Sequence, residues 1–203
     1  RISLQTPGRI DTAPTREEGL KRLFGVFVCP TPAIRVYSDM NAMVIKYVIE
    51  AKTGLSLFDA IQTWILSPAG MPETFAAVPK ALRSRCVCYN YEHRIEGERQ
   101  ILRTSPPCGL PHDPKALLLS DNGRDLCGHA GLFSSRKDMV RFAQALLSGE
   151  LIRRETLCEI GVNRTGFSHG DGTYRQYLGY LCFAKHPLQR LSEVPHWMGA
   201  RSI

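Results

Sequence analysis

Three observations predict a chain of mixed α and β structure (α/β, of the α+β kind) that is rich in helix. Four segments join a helix-capping side chain to an apolar stripe at helical spacing. The stretch 174–183 has the Tyr, Leu and Phe content of a strand. Between the third and fourth helices, 72–133 carries six prolines from Pro72 to Pro114 and little periodicity, which reads as connecting chain that wraps a neighbouring surface.

The helices are justified one by one. Thr15-Arg16-Glu17-Glu18 is a capping box, and it opens a segment with Leu20, Leu23, Phe24 and Phe27 on one face; Gly19 and Gly25 weaken it. The second helix follows Tyr37-Ser38-Asp39, with Asp39 as its cap. Met43, Val44, Tyr47, Val48 and Ala51 form its stripe, and Gly54 stands at C′. Ser56 with Asp59 starts the third, which carries Phe58, Ile61, Ile65 and Leu66 until Ser67-Pro68 ends it. The fourth begins at Ser134 or Ser135, packs Met139, Val140, Phe142, Ala143, Leu146 and Leu147, and ends at Gly149. A shorter helix is expected over 155–160 and a strand over 85–91.

Composition narrows the function classes. With 203 residues, 43% hydrophobic and 22% charged, the chain has the makeup of one globular domain rather than of a disordered one. No apolar stretch reaches the roughly 20 residues that cross a bilayer, so no membrane segment is expected. The net charge of +7 is spread in pairs at most, such as Lys21-Arg22 and Arg153-Arg154, which argues against nucleic acid as a partner. Seven cysteines, an odd number at irregular spacing, read as buried thiols in a reducing compartment. Together with an N-terminus lacking a signal-peptide core, they favour the cytoplasm. Cys86-Val-Cys88 with Cys127-Gly-His129 matches no structural-zinc spacing, so no metal is expected there.

Four segments, in order, carry a family resemblance. Val36-Tyr37-Ser38-Asp39-Met40-Asn41 and the helix after it resemble a Tyr-Ser-Asn/Asp element. Leu66-Ser67-Pro68-Ala69-Gly70-Met71-Pro72-Glu73-Thr74 resembles a Pro-Leu-Gly-Met-x-x-Thr turn, with Ala69 in place of Leu. Gly109-Leu110-Pro111-His112-Asp113-Pro114-Lys115-Ala116 is similar to a Gly-x-Val-His-Asp-x-x-Ala element. Gly128-His129-Ala130-Gly131-Leu132-Phe133-Ser134 is similar to an Ala-Gly-Leu-Phe-Ser-Thr stretch. The group so resembled is the β-lactamase-related serine hydrolases, which includes class C β-lactamases, esterases and penicillin-binding-protein relatives.

The resemblance implies a β-lactamase/transpeptidase-like fold, an antiparallel sheet with flanking helices and a mostly helical subdomain that this chain chiefly supplies. It also implies acyl-enzyme chemistry on a small-molecule ester or amide, with no metal or other cofactor. Such an enzyme uses a Ser-x-x-Lys helix, a Tyr-x-Asn-type element and a Lys-Thr-Gly strand. Tyr37 then becomes the general base or acid, since a phenol of pKa near ~10 gains phenolate character beside ammonium groups. Asp39 is the second catalytic candidate, able to hold a Lys or a substrate amide, with helix capping as its first role. His112, Asp113, His129 and Gly131 are candidates to line the cleft. Asp113 also reads as a turn residue before Pro114, and His129 equally as a satisfied structural histidine.

Two further matches are refused. Ser134-Ser135-Arg136-Lys137 fits Ser-x-x-Lys, but 13 serines and 7 lysines give about half such a match by chance, and Ser135 before Asp138 is a helix cap. Lys52-Thr53-Gly54 sits at a helix end, not on a strand. The expectation is therefore a single, incomplete domain over residues 1–203, with the Ser-x-x-Lys segment before Arg1 and the Lys/His-Thr-Gly strand after Ile203. Such a chain alone is expected to be inactive. The competing reading is a non-catalytic binding or scaffold protein that retains the fold. The oligomeric state has no sequence signal.

Overall fold

The computed structural model describes residues 2–5, 7–25, 27–30, 38–87, 93–96, 99–102, 108–120, 125–160 and 162, the strands by their backbone. The chain forms two compact units, Arg1–Met139 and Val140–Ile203. The elements are β1 (Ile2–Gln5), α1 (Arg16–Phe24), β2 (Phe27–Pro30), α2 (Met40–Thr53), α3 (Leu57–Ile61), β3 (His93–Glu96), β4 (Arg99–Leu102), α4 (Pro114–Leu119), α5 (Arg136–Ser148) and α6 (Arg154–Ile160). β1 and β2 pair antiparallel with Ile2 opposite Pro30, and β3 and β4 form a hairpin with Glu96 opposite Arg99. Of the strand expected over 85–91, residues 88–91 lie outside the described residues. Arg85 ends a 3₁₀ turn over Lys80–Arg85, and the next strand among the described residues is β3. The tail at 174–183 lies outside the described residues.

Local chemistry explains the helices. The Thr15 hydroxyl accepts the Glu18 amide at 3.2 Å, as a capping box requires. α1 stops at Gly25, so Phe27 belongs to β2 and not to the helix stripe. Gly19 has a packing reason: a Cβ there would stand 3.1 Å from both Leu118 and Leu119, where α1 meets α4. Ser56 caps α3 through the Asp59 amide, and the helix widens into a π-helical turn over Gln62–Leu66. Gly54 ends α2 at φ 70°, which only a residue tolerant of the left-handed region adopts cheaply.

The core of the first unit gathers Ile10, Leu23, Met43, Ala116, Leu119 and Cys127. A second cluster of Leu57, Ala76 and Leu126 lies beneath α3. The buried face of α2 differs from the expected stripe. Met43 and Lys46 point inward, whereas Val48 is 53% exposed. The Lys46 ammonium is held by Glu50, one turn on, and by Asp125 at 3.1 Å. Burial alone would lower its pKa, but the two carboxylates outweigh that and raise it. Glu50 in turn accepts the Leu57 amide at 2.9 Å, tying α2 to the start of α3. A cation therefore occupies a position that helical periodicity assigns to an apolar side chain.

The turn at 71–75 is fastened to the start of α5. The buried Asp138 carboxylate accepts the Glu73 amide at 2.6 Å and the Thr74 hydroxyl at 2.9 Å. Phe75 and Phe133 exchange two backbone hydrogen bonds of 2.8 and 2.9 Å. The Ser135 hydroxyl accepts the Asp138 amide, as a cap does, and the Ser134 hydroxyl bonds with that of Thr74 at 2.8 Å. Lys137 is exposed.

Candidate active site

The predicted residues Asp39, Asp113 and His129 converge in the first unit, joined by Lys115, which the sequence reading did not single out, and by Cys127, which it weighed only for zinc. Asp113 is the N-cap of α4: its Oδ1 accepts the Ala116 amide at 2.9 Å, and Pro114 at N1 needs no donor there. The same carboxylate meets His129 Nε2 at 2.9 Å, and His129 Nδ1 faces Cys127 Sγ at 2.9 Å. Lys115 Nζ reaches Asp39 Oδ2 at 2.8 Å and Asp113 Oδ2 at 3.3 Å. Asp39, Lys115, Asp113, His129 and Cys127 thus form one unbroken chain of polar contacts.

One expectation changes. Asp39 does not cap α2 with its side chain; its carboxylate is engaged by Lys115, and the Ser38 hydroxyl accepts the Met40 amide at 3.3 Å instead. His129 is a satisfied side chain, 7% exposed and bonded through both ring nitrogens. His112 is exposed on the turn before Asp113. Gly131, at φ 112°, stands against Leu126 and Pro111. Tyr37 lies outside the described residues. Asp39 and Lys115 line a cavity of about 310 Å³ together with Arg9, Ile10, Asp11 and Met43. A second cavity, lined by Phe75, Leu82, Leu132 and Ser134 among others, holds none of the predicted cleft residues.

The charges of this group follow from its contacts. Burial would raise the Asp113 pKa, but His129, the Ala116 amide and Lys115 hold the carboxyl well below its usual range. For His129, burial would lower the pKa, yet Asp113 and Cys127 outweigh it and raise it to about 9. At neutral pH the ring is an imidazolium that donates from both nitrogens, to a carboxylate and to a sulfur. Asp39, Asp113 and His129 each offer a ligand atom, all within 4.8 Å of one another, the one such group among the described residues. Lys115 already supplies a cation to two of the three, and the third carries a proton. The set is satisfied by the chain's own charges rather than shaped for a metal ion.

A pH dependence of stability follows. The folded pKa of His129 is raised above the unfolded value near ~6.5. Its contribution is therefore fully present below that value and is lost as pH rises through about 9. The loss is on the order of 3 kcal/mol at most. Urea midpoints should fall between pH 6.5 and 9.5 more steeply in the unaltered protein than in His129→Gln. Equal slopes would contradict the assignment.

The described residues thus place a helical core and two short antiparallel strand pairs around a polar network of Asp39, Lys115, Asp113, His129 and Cys127. The Beta-lactamase family model matches residues 9–199, nearly the whole sequence, and the chain belongs to that family of hydrolases. A curated relative from Salmonella paratyphi B, which carries the name D-alanyl-D-alanine carboxypeptidase, is 32% identical over 119 residues; the match covers 56% of this chain and 27% of that protein. Among solved structures, a D-amino acid amidase from Ochrobactrum anthropi SV3 superposes at TM-score 0.49 with 20% identity, covering 78% of this chain and 44% of that one. A penicillin-binding protein homologue from Pyrococcus abyssi, described as octameric, superposes at TM-score 0.48 with 17% identity, covering 82% and 34%. The matched part of this chain spans about a quarter of the length of its curated relatives.

No helix among the described residues is long and apolar enough to cross a membrane.

Proposed function

We propose that this chain is the helical part of a serine hydrolase that cleaves an ester or amide through an acyl-enzyme, with Tyr37 as the group that moves the proton. Family membership over residues 9–199 is the observation that carries the reading. The placement of Asp39 on a polar cavity, two residues after Tyr37, supports it. The attacking serine belongs to a Ser-x-x-Lys helix that these 203 residues do not contain in a suitable setting, since Ser134 and Ser135 are engaged at the start of α5.

In this reading a phenolate at Tyr37 takes the proton of the attacking serine as its oxygen bonds to the substrate carbonyl carbon. The same proton passes to the departing alcohol or amine as the C–O or C–N bond breaks, and water then releases the acid. The larger antiparallel sheet of the fold supplies the substrate-pairing strand. The carboxypeptidase name of the curated relatives favours a peptidoglycan-like amide among the substrates.

The test is turnover by the full-length protein of a chromogenic β-lactam, a p-nitrophenyl ester and a D-alanyl-D-alanine peptide. Hydrolysis of at least one, with the 203-residue chain inert towards all three, is the expected result. Tight retention of these ligands with no turnover would instead identify a binding protein that keeps the fold.

A further inference from the structure

We infer that Lys115 is a positioning residue for Asp39, the carboxylate of the Tyr-Ser-Asp segment; its functional meaning, though not its geometry, rests on the hydrolase reading above. Asp39 occupies the residue before α2, where an Asp ordinarily turns its side chain onto the first free amides. Here the backbone is already helical, at φ −67° and ψ −20°, and the side chain makes no cap bond. The Ser38 hydroxyl serves the Met40 amide instead. The Asp39 carboxylate is thereby released to face the cavity, with Lys115 Nζ at 2.8 Å on Oδ2.

Lys115 is itself held in place. It stands in the first turn of α4, where the helix dipole disfavours a cation, so its position there needs an external reason. Two carboxylates supply one, Asp39 from the start of α2 and Asp113 from the cap of α4. Asp113 is in turn anchored by the Ala116 amide and by His129, whose ring is buried against Cys127. About three-quarters of each side chain in the Lys115–Asp39 pair is shielded from solvent, unlike an ordinary surface pair such as Arg9–Asp11, whose arginine is 68% exposed. The ammonium therefore links Asp39 to a fixed point in the core, and sets where its carboxylate can lie at the cavity.

The experiment compares Lys115→Met, Lys115→Arg, Asp39→Asn and the Lys115→Met/Asp39→Asn double variant of the full-length protein, by amide hydrogen exchange and by kcat and KM on a p-nitrophenyl ester. The Ala42 and Met43 amides donate to the Asp39 carbonyl at 3.1 and 3.2 Å and report whether this turn stays ordered. Lys115→Met should speed their exchange about tenfold while the last turn of α2 is unchanged. It should lower kcat about tenfold with KM within about twofold, and Lys115→Arg should restore most of both. Adding Asp39→Asn to Lys115→Met should cost little more, because the two act as one unit. Unchanged exchange in Lys115→Met, or a kcat loss that is purely additive in the double variant, would overturn the inference. If the unaltered protein hydrolyses nothing, the hydrolase reading fails and the exchange data still decide the role of Lys115.

Discussion

Gly128→Ala should destabilise the first unit by about 3 kcal/mol or more, the largest stability effect expected of any single methyl group here. Gly128 has φ 105°, a region that side-chain-bearing residues rarely adopt. A Cβ at this position would stand 2.6 Å from the Ala42 carbonyl oxygen and 3.1 Å from the Lys46 Cβ. The obstacle is helix backbone, which cannot turn aside as a flexible side chain would. α2 cannot retreat either, because Met43 and Lys46 on that face are buried in the core and in the Glu50–Asp125 ion cluster. The close approach also sets the chain on which Cys127 and His129 are carried. Gly70→Ala is the matched control: it too has positive φ, 62°, but nothing lies within 4 Å of its added carbon. It should cost only the left-handed conformation, about 1 kcal/mol. Denaturant midpoints of the two variants decide the matter, and equal losses would show that α2 is free to move away.

Tyr37→Phe should lower kcat of the full-length protein by roughly 10²–10⁴, the range that general acid–base groups supply. The change removes one oxygen and leaves the ring, so stability should be nearly unaltered. KM should stay within a few-fold, since the phenol acts on a proton in flight rather than on bound substrate. A kcat within threefold of the unaltered protein would remove Tyr37 from the mechanism while leaving family membership untouched. Asp39→Asn should be milder, because the amide can still accept a hydrogen bond from Lys115.

The sequence was most legible where structure is local. The caps at Thr15 and Ser56 and the left-handed end at Gly54 each depend on residues within one turn, and each is present. The inner face of α2 was misread because Lys46 is buried by a partner 79 positions away, Asp125, a pairing that no periodicity contains. α4 went unrecognised because six residues complete fewer than two turns and give no apolar period; Asp113-Pro114 was its one signal. The site was half legible. Asp39, Asp113 and His129 were each singled out, but as separate candidates, since the 16-residue separation of Asp113 and His129 carries no pattern. Lys115 had no sequence signal, and Cys127 was weighed only as a zinc ligand beside His129, because a lysine after Asp-Pro and a cysteine before Gly-His gain this meaning only when the chain brings their partners to them.

The acyl-enzyme claim meets its most direct test in a serine-directed phosphonate reacted with the full-length protein, followed by peptide mapping of the modified residue. One adduct is expected, on the serine of a Ser-x-x-Lys helix, formed more slowly in Tyr37→Phe. An adduct on Ser134, or no adduct at all under conditions that turn over substrate, would contradict it.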